Sequence, residues 1–187
     1  MTRSYSSVPG PRAAGLAEIA YSRPVQSIEL PADGALDKPG RYHALLPQLR
    51  ALLEGEPDLV ANLANAVAAV RECVPQASWL GIYRTVGAEL VLGPFQGKVA
   101  CVRIAWGRGV CGTAAAERRV LVVPDVDQFP GHIACDAGSR SEIVVPIVRA
   151  GAVVGVIDVD SYALAAFDQD DASGLTAGQV MVGTPSG

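Results

Sequence analysis

The chain has no excess of positive charge: 15 Lys and Arg face 19 Asp and Glu, a formal net charge of −4. That removes the basic footprint expected of a nucleic-acid-binding protein. Its apolar runs stop far short of the roughly 20 residues that cross a bilayer, so no membrane segment is expected. The opening residues, MTRSYSSVPGPRAAG, contain no apolar stretch of the kind that drives secretion. These absences point to the cytoplasm, where thiols stay reduced and a fixed disulfide framework is not expected. Aromatic residues are scarce, so a core must be assembled mainly from Val, Ala, Leu and Ile. None of the four cysteines forms a Cys-x-x-Cys pair, which weakens a structural zinc site. Two phosphate-binding patterns also fail. GPFQGKV has neither the spacing nor the Ser/Thr of a P-loop, and GRGVCG does not follow a strand in a βαβ unit.

With 187 residues the chain has room for one domain with a real core. Residues 1–38 are rich in Pro, Gly and Ser without sustained periodicity, and read as a flexible N-terminal extension with one helical turn near Ala13–Ala20. Residues 39–178 read as the folded domain, and 179–187 as a fraying tail. Helical spacing begins at His43 and runs to Leu53, where Pro47 is tolerable only in a first turn. A second helix is expected over Leu59–Cys73, with Leu59, Leu63, Val67 and Val70 on its apolar face. The period then switches to two. Strands are expected at Ser78–Arg84, Glu89–Leu92, Ala100–Ala105, Val120–Val123, Ser141–Val148 and Ala152–Asp158. Arg149-Ala150-Gly151 should join the last two as a hairpin. A compact helix fits Gly109–Glu117, and a glycine-interrupted one follows Phe167. Two helices followed by many strands indicate an α+β fold around a largely antiparallel sheet. The long Pro124–Arg140 connection exceeds a simple turn, and loops of that length are often functional.

The chemistry is concentrated between Gly93 and Asp160, which holds three of the four cysteines. Cys73 continues the apolar face of its helix and reads as a small buried hydrophobe. Cys101 alternates within a strand, where burial is the ordinary explanation. Cys111 sits near the start of a short helix, whose partial positive charge favours thiolate, while Gly112 beside it would instead fit close backbone packing and a buried thiol. Cys135 lies in the polar loop FPGHIACDAGSRSE beside His132 and Asp136. The residues alone do not rank Cys111 against Cys135 as a nucleophile. A nucleophilic thiol with a second, resolving thiol is what reversible sulfur oxidation requires. His132, Cys135, Cys101 and Cys111 are also the residues a zinc site would use. Asp158 and Asp160 are two apart and face one side of a strand; Glu142 opens another apolar strand. A solvated strand end explains such acids ordinarily. Converging on one pocket, they would instead raise one another's pKa and keep a proton available near neutrality. Trp79 and Tyr83 share a strand face, as core packing or as an aromatic wall for a ligand.

The segments SWLGIYR, ELVLGPFQGKVACVRI, GRGVCGTAAA, PDVDQFPGHIACDAGSRSEIVVPI and GVIDVDS carry a resemblance. The chain resembles the free methionine-(R)-sulfoxide reductases, which are built on a single GAF domain, over about Tyr42 to Leu175. The resemblance implies a central antiparallel sheet flanked by helices. It implies Cys135 as nucleophile, Cys101 as main resolving cysteine and Cys111 in disulfide exchange, so it decides between Cys111 and Cys135. It further implies that Trp79 and Tyr83 shape the pocket and that Glu142, Asp158 and Asp160 bind the substrate and polarise its S=O bond. The implied reaction reduces free L-methionine (R)-S-oxide with thioredoxin as reductant, and needs no metal or other cofactor. Homodimerisation enters by the same analogy alone. A non-enzymatic GAF sensor of a small molecule or of redox state is the competing class, since fold does not fix function.

Overall fold

A computed structural model describes residues 27–31 and 35–182. The expected N-terminal extension, 1–38, lies mostly outside the described residues, and so does the helical turn near Ala13–Ala20. The described part of that extension is packed: Ile28 and Leu30 lie against the core. The Glu29 N–H donates to Gln48 Oε1 at 2.8 Å, and Gln48 Nε2 donates back to the Glu29 carbonyl at 2.9 Å.

The first helix, α1 (Lys38–Leu53), begins before the expected His43. Asp37 caps it by accepting from the Gly40 N–H at 2.9 Å, and Pro39 suits the first turn because its fixed φ is already helical. Pro47 therefore falls inside the helix and not in its first turn, which leaves the His43 carbonyl without its usual donor. Helix α2 (Leu59–Cys73) is capped by Asp58, whose side chain accepts from the Ala61 N–H. The strands are β1 (Trp79–Val86), β2 (Glu89–Gln96), β3 (Arg103–Ala105), β4 (Leu121–Val123), β5 (Ser141–Arg149) and β6 (Ala152–Ser161). Helix α3 (Gly109–Glu117) lies between β3 and β4, and α4 (Gln169–Val182) follows β6. Helix α4 thus continues into the expected tail, 179–187, and its glycines do not break it. The six strands form one antiparallel sheet in the order β3-β2-β1-β6-β5-β4. The turn between β5 and β6 has positive φ at both Ala150 (47°) and Gly151 (78°), the geometry of a tight two-residue hairpin. Strand β3 is shorter than the expected Ala100–Ala105, so Cys101 lies on the β2–β3 connection. Its carbonyl accepts from a side chain, Tyr83 OH, at 3.1 Å.

The two faces of the sheet have different duties. Leu80, Ile82, Ile143, Val145, Ile147, Ile157 and Val159 face α1, α2 and α4, and make the larger core with Leu45, Leu49, Leu63 and Val67. The buried Cys73 belongs to it, and burial pushes its thiol up to about 11. Asp171 of α4 is 1% exposed yet fully partnered. It accepts from Tyr42 OH at 3.0 Å and Lys38 Nζ at 2.6 Å, locking α1 onto α4. The opposite face carries Tyr83, Val144 and Val156 under α3.

Helix α4 approaches α1 through Gly174, where a methyl group would overlap the Tyr42 ring; at Gly178 the nearest atom to such a methyl is 3.8 Å away, on Leu46. Gly174→Ala should therefore lower stability by about 1–3 kcal/mol through overpacking. Gly178→Ala should raise it by about 0.5–1 kcal/mol, the ordinary gain from replacing a helical glycine. Denaturant unfolding of both variants checks the opposite signs.

Candidate active site

Strand alternation assembles the site. Asp160 lies opposite Glu142 on one side and Trp79 on the other; Asp158 lies opposite Val144 and Gly81. All therefore share the face away from α1, α2 and α4. Gly81 matters here because a Cβ would collide with the Trp79 indole and come within 2.6 Å of Phe95 Cβ. The indole lies over this gap, stacked on Phe95 at 5.5 Å and on Tyr83 at 6.0 Å between ring centroids. Trp79 and Tyr83 are thus brought together, and both also hold the loop that carries Cys101. Trp79 Nε1 donates to the Lys98 carbonyl at 3.0 Å, as Tyr83 OH does to that of Cys101.

Cys101 and Cys135 are joined by a disulfide, with 5.5 Å between their Cα atoms. Because they bond each other, the zinc set of His132, Cys135, Cys101 and Cys111 does not form. The Cys135 loop is anchored through Asp136. That carboxylate accepts from Tyr162 OH at 2.8 Å and the Gly138 N–H at 3.0 Å, and pairs with Lys98 at 3.1 Å. The Gly138 amide, the Tyr162 hydroxyl and the Lys98 ammonium hold its carboxyl down at about 2. Lys98 also lies 5.1 Å from the centre of the Tyr162 ring. One ion pair thereby ties the Cys101 loop to the Cys135 loop.

Beneath the loops is an open-mouthed cavity of about 380 Å³, lined by Cys111, His132, Cys135, Glu142, Asp158 and Asp160 among others. A second recess of about 230 Å³ joins Trp79 and Tyr83 to Cys135, Asp158 and Asp160. Glu142 and Asp158 are only 6% and 7% exposed. Asp158 is therefore not a solvated strand end; it sits on a central strand. Burial dominates the acidity of all three carboxyls. It holds Glu142 well above the usual range, with the charges of Asp158 and Asp160 adding to the effect. Burial, then Asp158, pushes Asp160 up to about 8 against a hydrogen bond with Ser139. Burial pushes Asp158 up to about 6, opposed by hydrogen bonds with Cys111 and Glu142. Raised in this way, the cluster retains protons towards neutral pH, and its three carboxyls do not all ionise together.

At Cys111 the structure takes the buried alternative. Its position at the start of α3 favours thiolate, but it is buried with Sγ 3.9 Å from Glu142 Oε1. Burial and the neighbouring carboxyls push its thiol well above the ordinary value. Desolvation outweighs the helix terminus, which is worth only about 0.3–1 kcal/mol at exposed sites. Gly112 explains the depth, since a side chain there would strike the Ala105 carbonyl. Cys111, Glu142 and Asp158 bring one ligand atom each within 4.8 Å of one another, the set best placed for a metal ion among the described residues. His132 Nε2 is 3.7 Å from Glu142 Oε2, and burial lowers its pKa, so the ring is neutral at pH 7.

Several residues were not assigned to the site from the sequence. Lys98 and Tyr162 reach it only through tertiary packing, and Ser139 contacts Asp160 from the end of the loop. The visible signal for Asp136 was its place beside Cys135; for Lys98, its place three residues before Cys101.

The sequence matches the GAF domain over residues 48–178. Over 140 residues it is 47% identical to the free methionine-R-sulfoxide reductase of Escherichia coli (strain K12), covering 75% of this chain and 85% of that protein. Over 144 residues it is 44% identical to the free methionine-R-sulfoxide reductase of Saccharomyces cerevisiae, covering 73% and 80%. Among solved structures, the free methionine-R-sulfoxide reductase from Neisseria meningitidis in complex with its substrate aligns with a TM-score of 0.81 at 44% identity. That alignment covers 86% of this chain and 95% of the other.

The buried acids should weaken the fold as pH rises. Their native pKa values exceed those of the unfolded chain, so the native state binds more protons and stability falls from about pH 4 towards pH 8. Each such proton contributes a slope of at most about 1.4 kcal/mol per pH unit. Glu142→Gln should flatten the fall. Thermal unfolding of both proteins from pH 5 to pH 8 checks this, and parallel pH curves would contradict it.

Proposed function

The chain belongs to the free methionine-R-sulfoxide reductase family of GAF domains, and we propose that it reduces free L-methionine (R)-S-oxide to L-methionine at the Cys135 cavity. One observation carries the reading. A bonded cysteine pair lies over a cavity lined by three carboxyls, Glu142, Asp158 and Asp160, whose pKa values burial raises. A sulfoxide sulfur becomes electrophilic when its oxygen is hydrogen-bonded or protonated. Glu142 and Asp160 donate to that oxygen, and the Cys135 thiolate attacks sulfur. Oxygen passes to Cys135 as sulfenic acid and methionine leaves. The Cys101 thiol displaces water from the sulfenic acid, giving the disulfide. Cys111, protonated and buried, enters as an exchange partner and not as the attacking thiolate.

Substrate selection follows from the same charges. The negative charge carried by the carboxyl cluster attracts the ammonium of a free amino acid, which a peptide bond removes. Trp79 and Tyr83 form the apolar wall for the methylsulfinyl end. Thioredoxin returns both cysteines to thiols. Such recycling fits a cytoplasmic protein, where dithiol reductants are maintained. Among the described residues no helix is long and apolar enough to cross a membrane. Homodimerisation remains part of this reading by analogy with the family. Sensing without chemistry is not favoured, because it assigns no use to a paired thiol above a proton-holding acid cluster.

Three outcomes follow for single-turnover and steady-state assays of methionine release. Cys135→Ser should lower release at least about 10³-fold even in one turnover; normal release would move the nucleophile elsewhere. Cys101→Ser should keep the first turnover and lose most thioredoxin-driven turnover. Reduction should also decline above about pH 8, as Asp160 loses its proton, and Asp160→Asn should remove or displace that limb. A rate still rising with pH through that range would exclude Asp160 as donor.

A further inference from the structure

We propose that the exposed apolar rim around the Cys101–Cys135 disulfide is the docking surface for the protein dithiol that reduces it. The inference rests on the reading of this disulfide as the product of the reaction. Val99 and Val102 flank Cys101 and are 86% and 65% exposed. Ile133, 37% exposed, lies two residues before Cys135. Val99 lines the smaller recess together with Cys135, and Ile133 lines the larger cavity together with it, so both border the bond, while Val102 directly follows Cys101. The Tyr162 ring, 49% exposed, is drawn to the same place by its hydroxyl's bond to Asp136. No other large apolar side chain among the described residues is as exposed as Val99.

The chain's own needs do not explain this exposure. The Val99–Val102 backbone is held from within by the hydrogen bonds of Trp79 and Tyr83, so the valines are presented on a fixed loop. Contiguous apolar surface around a reactive group marks a protein contact. The partner's chemistry follows from what lies at the centre of the patch. A disulfide is reduced when a thiolate attacks one of its sulfurs, so the partner must bring a thiolate into the rim. A second thiol is needed to release the mixed disulfide, so the occupant is a Cys-x-x-Cys protein dithiol with apolar surface around its thiols.

The exchange balances within the two proteins. One partner thiolate attacks the disulfide, forming a mixed disulfide and releasing one cysteine of the pair as thiolate. The partner's second thiol then attacks the mixed bond and releases the other cysteine. Two electrons and two protons pass to Cys101 and Cys135, and the partner leaves as its own disulfide.

The test needs no sulfoxide. The oxidised full chain is mixed with reduced thioredoxin or with dithiothreitol, and the rate constant of disulfide reduction is measured for each. The Val99→Ser/Val102→Ser double variant should be reduced by thioredoxin at least about tenfold more slowly, while its rate with dithiothreitol changes less than about twofold. A control pair on exposed surface elsewhere, Val86→Ser/Val154→Ser, should leave both rates unchanged. Equal loss with both reductants, or no loss with thioredoxin, would overturn the proposal. Methionine release by pre-reduced wild-type protein is measured separately. Its failure would remove the proposed reaction, whereas the rim stands or falls on the ratio of the two reduction rates.

Discussion

Three carboxyl groups share one face of the central sheet in a place water barely reaches. The fold tolerates them because they share protons and do not all carry charge. Glu142 faces Asp160 across β5 and β6, and Asp158 follows one step along the same strand. In low dielectric, three adjacent charges would repel strongly. The cluster resolves this by retaining protons towards neutral pH, since burial raises the pKa of all three carboxyls. The same arrangement costs stability and supplies chemistry, since a proton kept at neutral pH is what a sulfoxide oxygen needs. His132 beside Glu142 does not neutralise the cluster, because burial keeps the imidazole uncharged.

That expense is affordable because the sheet separates two tasks. The face turned to α1, α2 and α4 is continuously aliphatic and makes the larger core. The other face has polar groups where alternation would place valines, and there packing is completed by aromatics, α3 and loops. Rigidity from the first face positions the second. Trp79 and Tyr83 illustrate the coupling: their rings wall the recess, while their polar ends fix the loop bearing Cys101. Asp136 does the same for the Cys135 loop through Tyr162, Gly138 and Lys98. The disulfide therefore closes between two loops that each have polar anchors and that the Lys98–Asp136 pair ties to one another.

The thiols differ by environment and not by type. Cys73 is packing, Cys111 is kept protonated among acids, and Cys101 and Cys135 meet at the cavity mouth. Proximity to a helix start favours thiolate at Cys111, and desolvation outweighs it. The exposed valines beside Cys101 complete this distribution of the thiols' surroundings: one cysteine in packing, one among acids, and one bonded pair with exposed apolar side chains next to it.

Periodicity alone carried the secondary structure: apolar repeats in α2, alternation in β1, β5 and β6, and the short Ala150-Gly151 turn were legible because each depends on neighbours in the chain. The two-residue spacing of Asp158 and Asp160 also disclosed that they share a face. Local pattern misplaced the start of α1 and the end of the β2–β3 connection, where a cap and a distant tyrosine hydroxyl bond to the backbone. Burial of Asp158 and Cys111, the Lys98–Asp136–Tyr162 anchor and the approach of Cys101 to Cys135 were not contained in any one segment. They arise when strands distant in sequence pair and loops close over them, since desolvation and bond formation depend on separation in space.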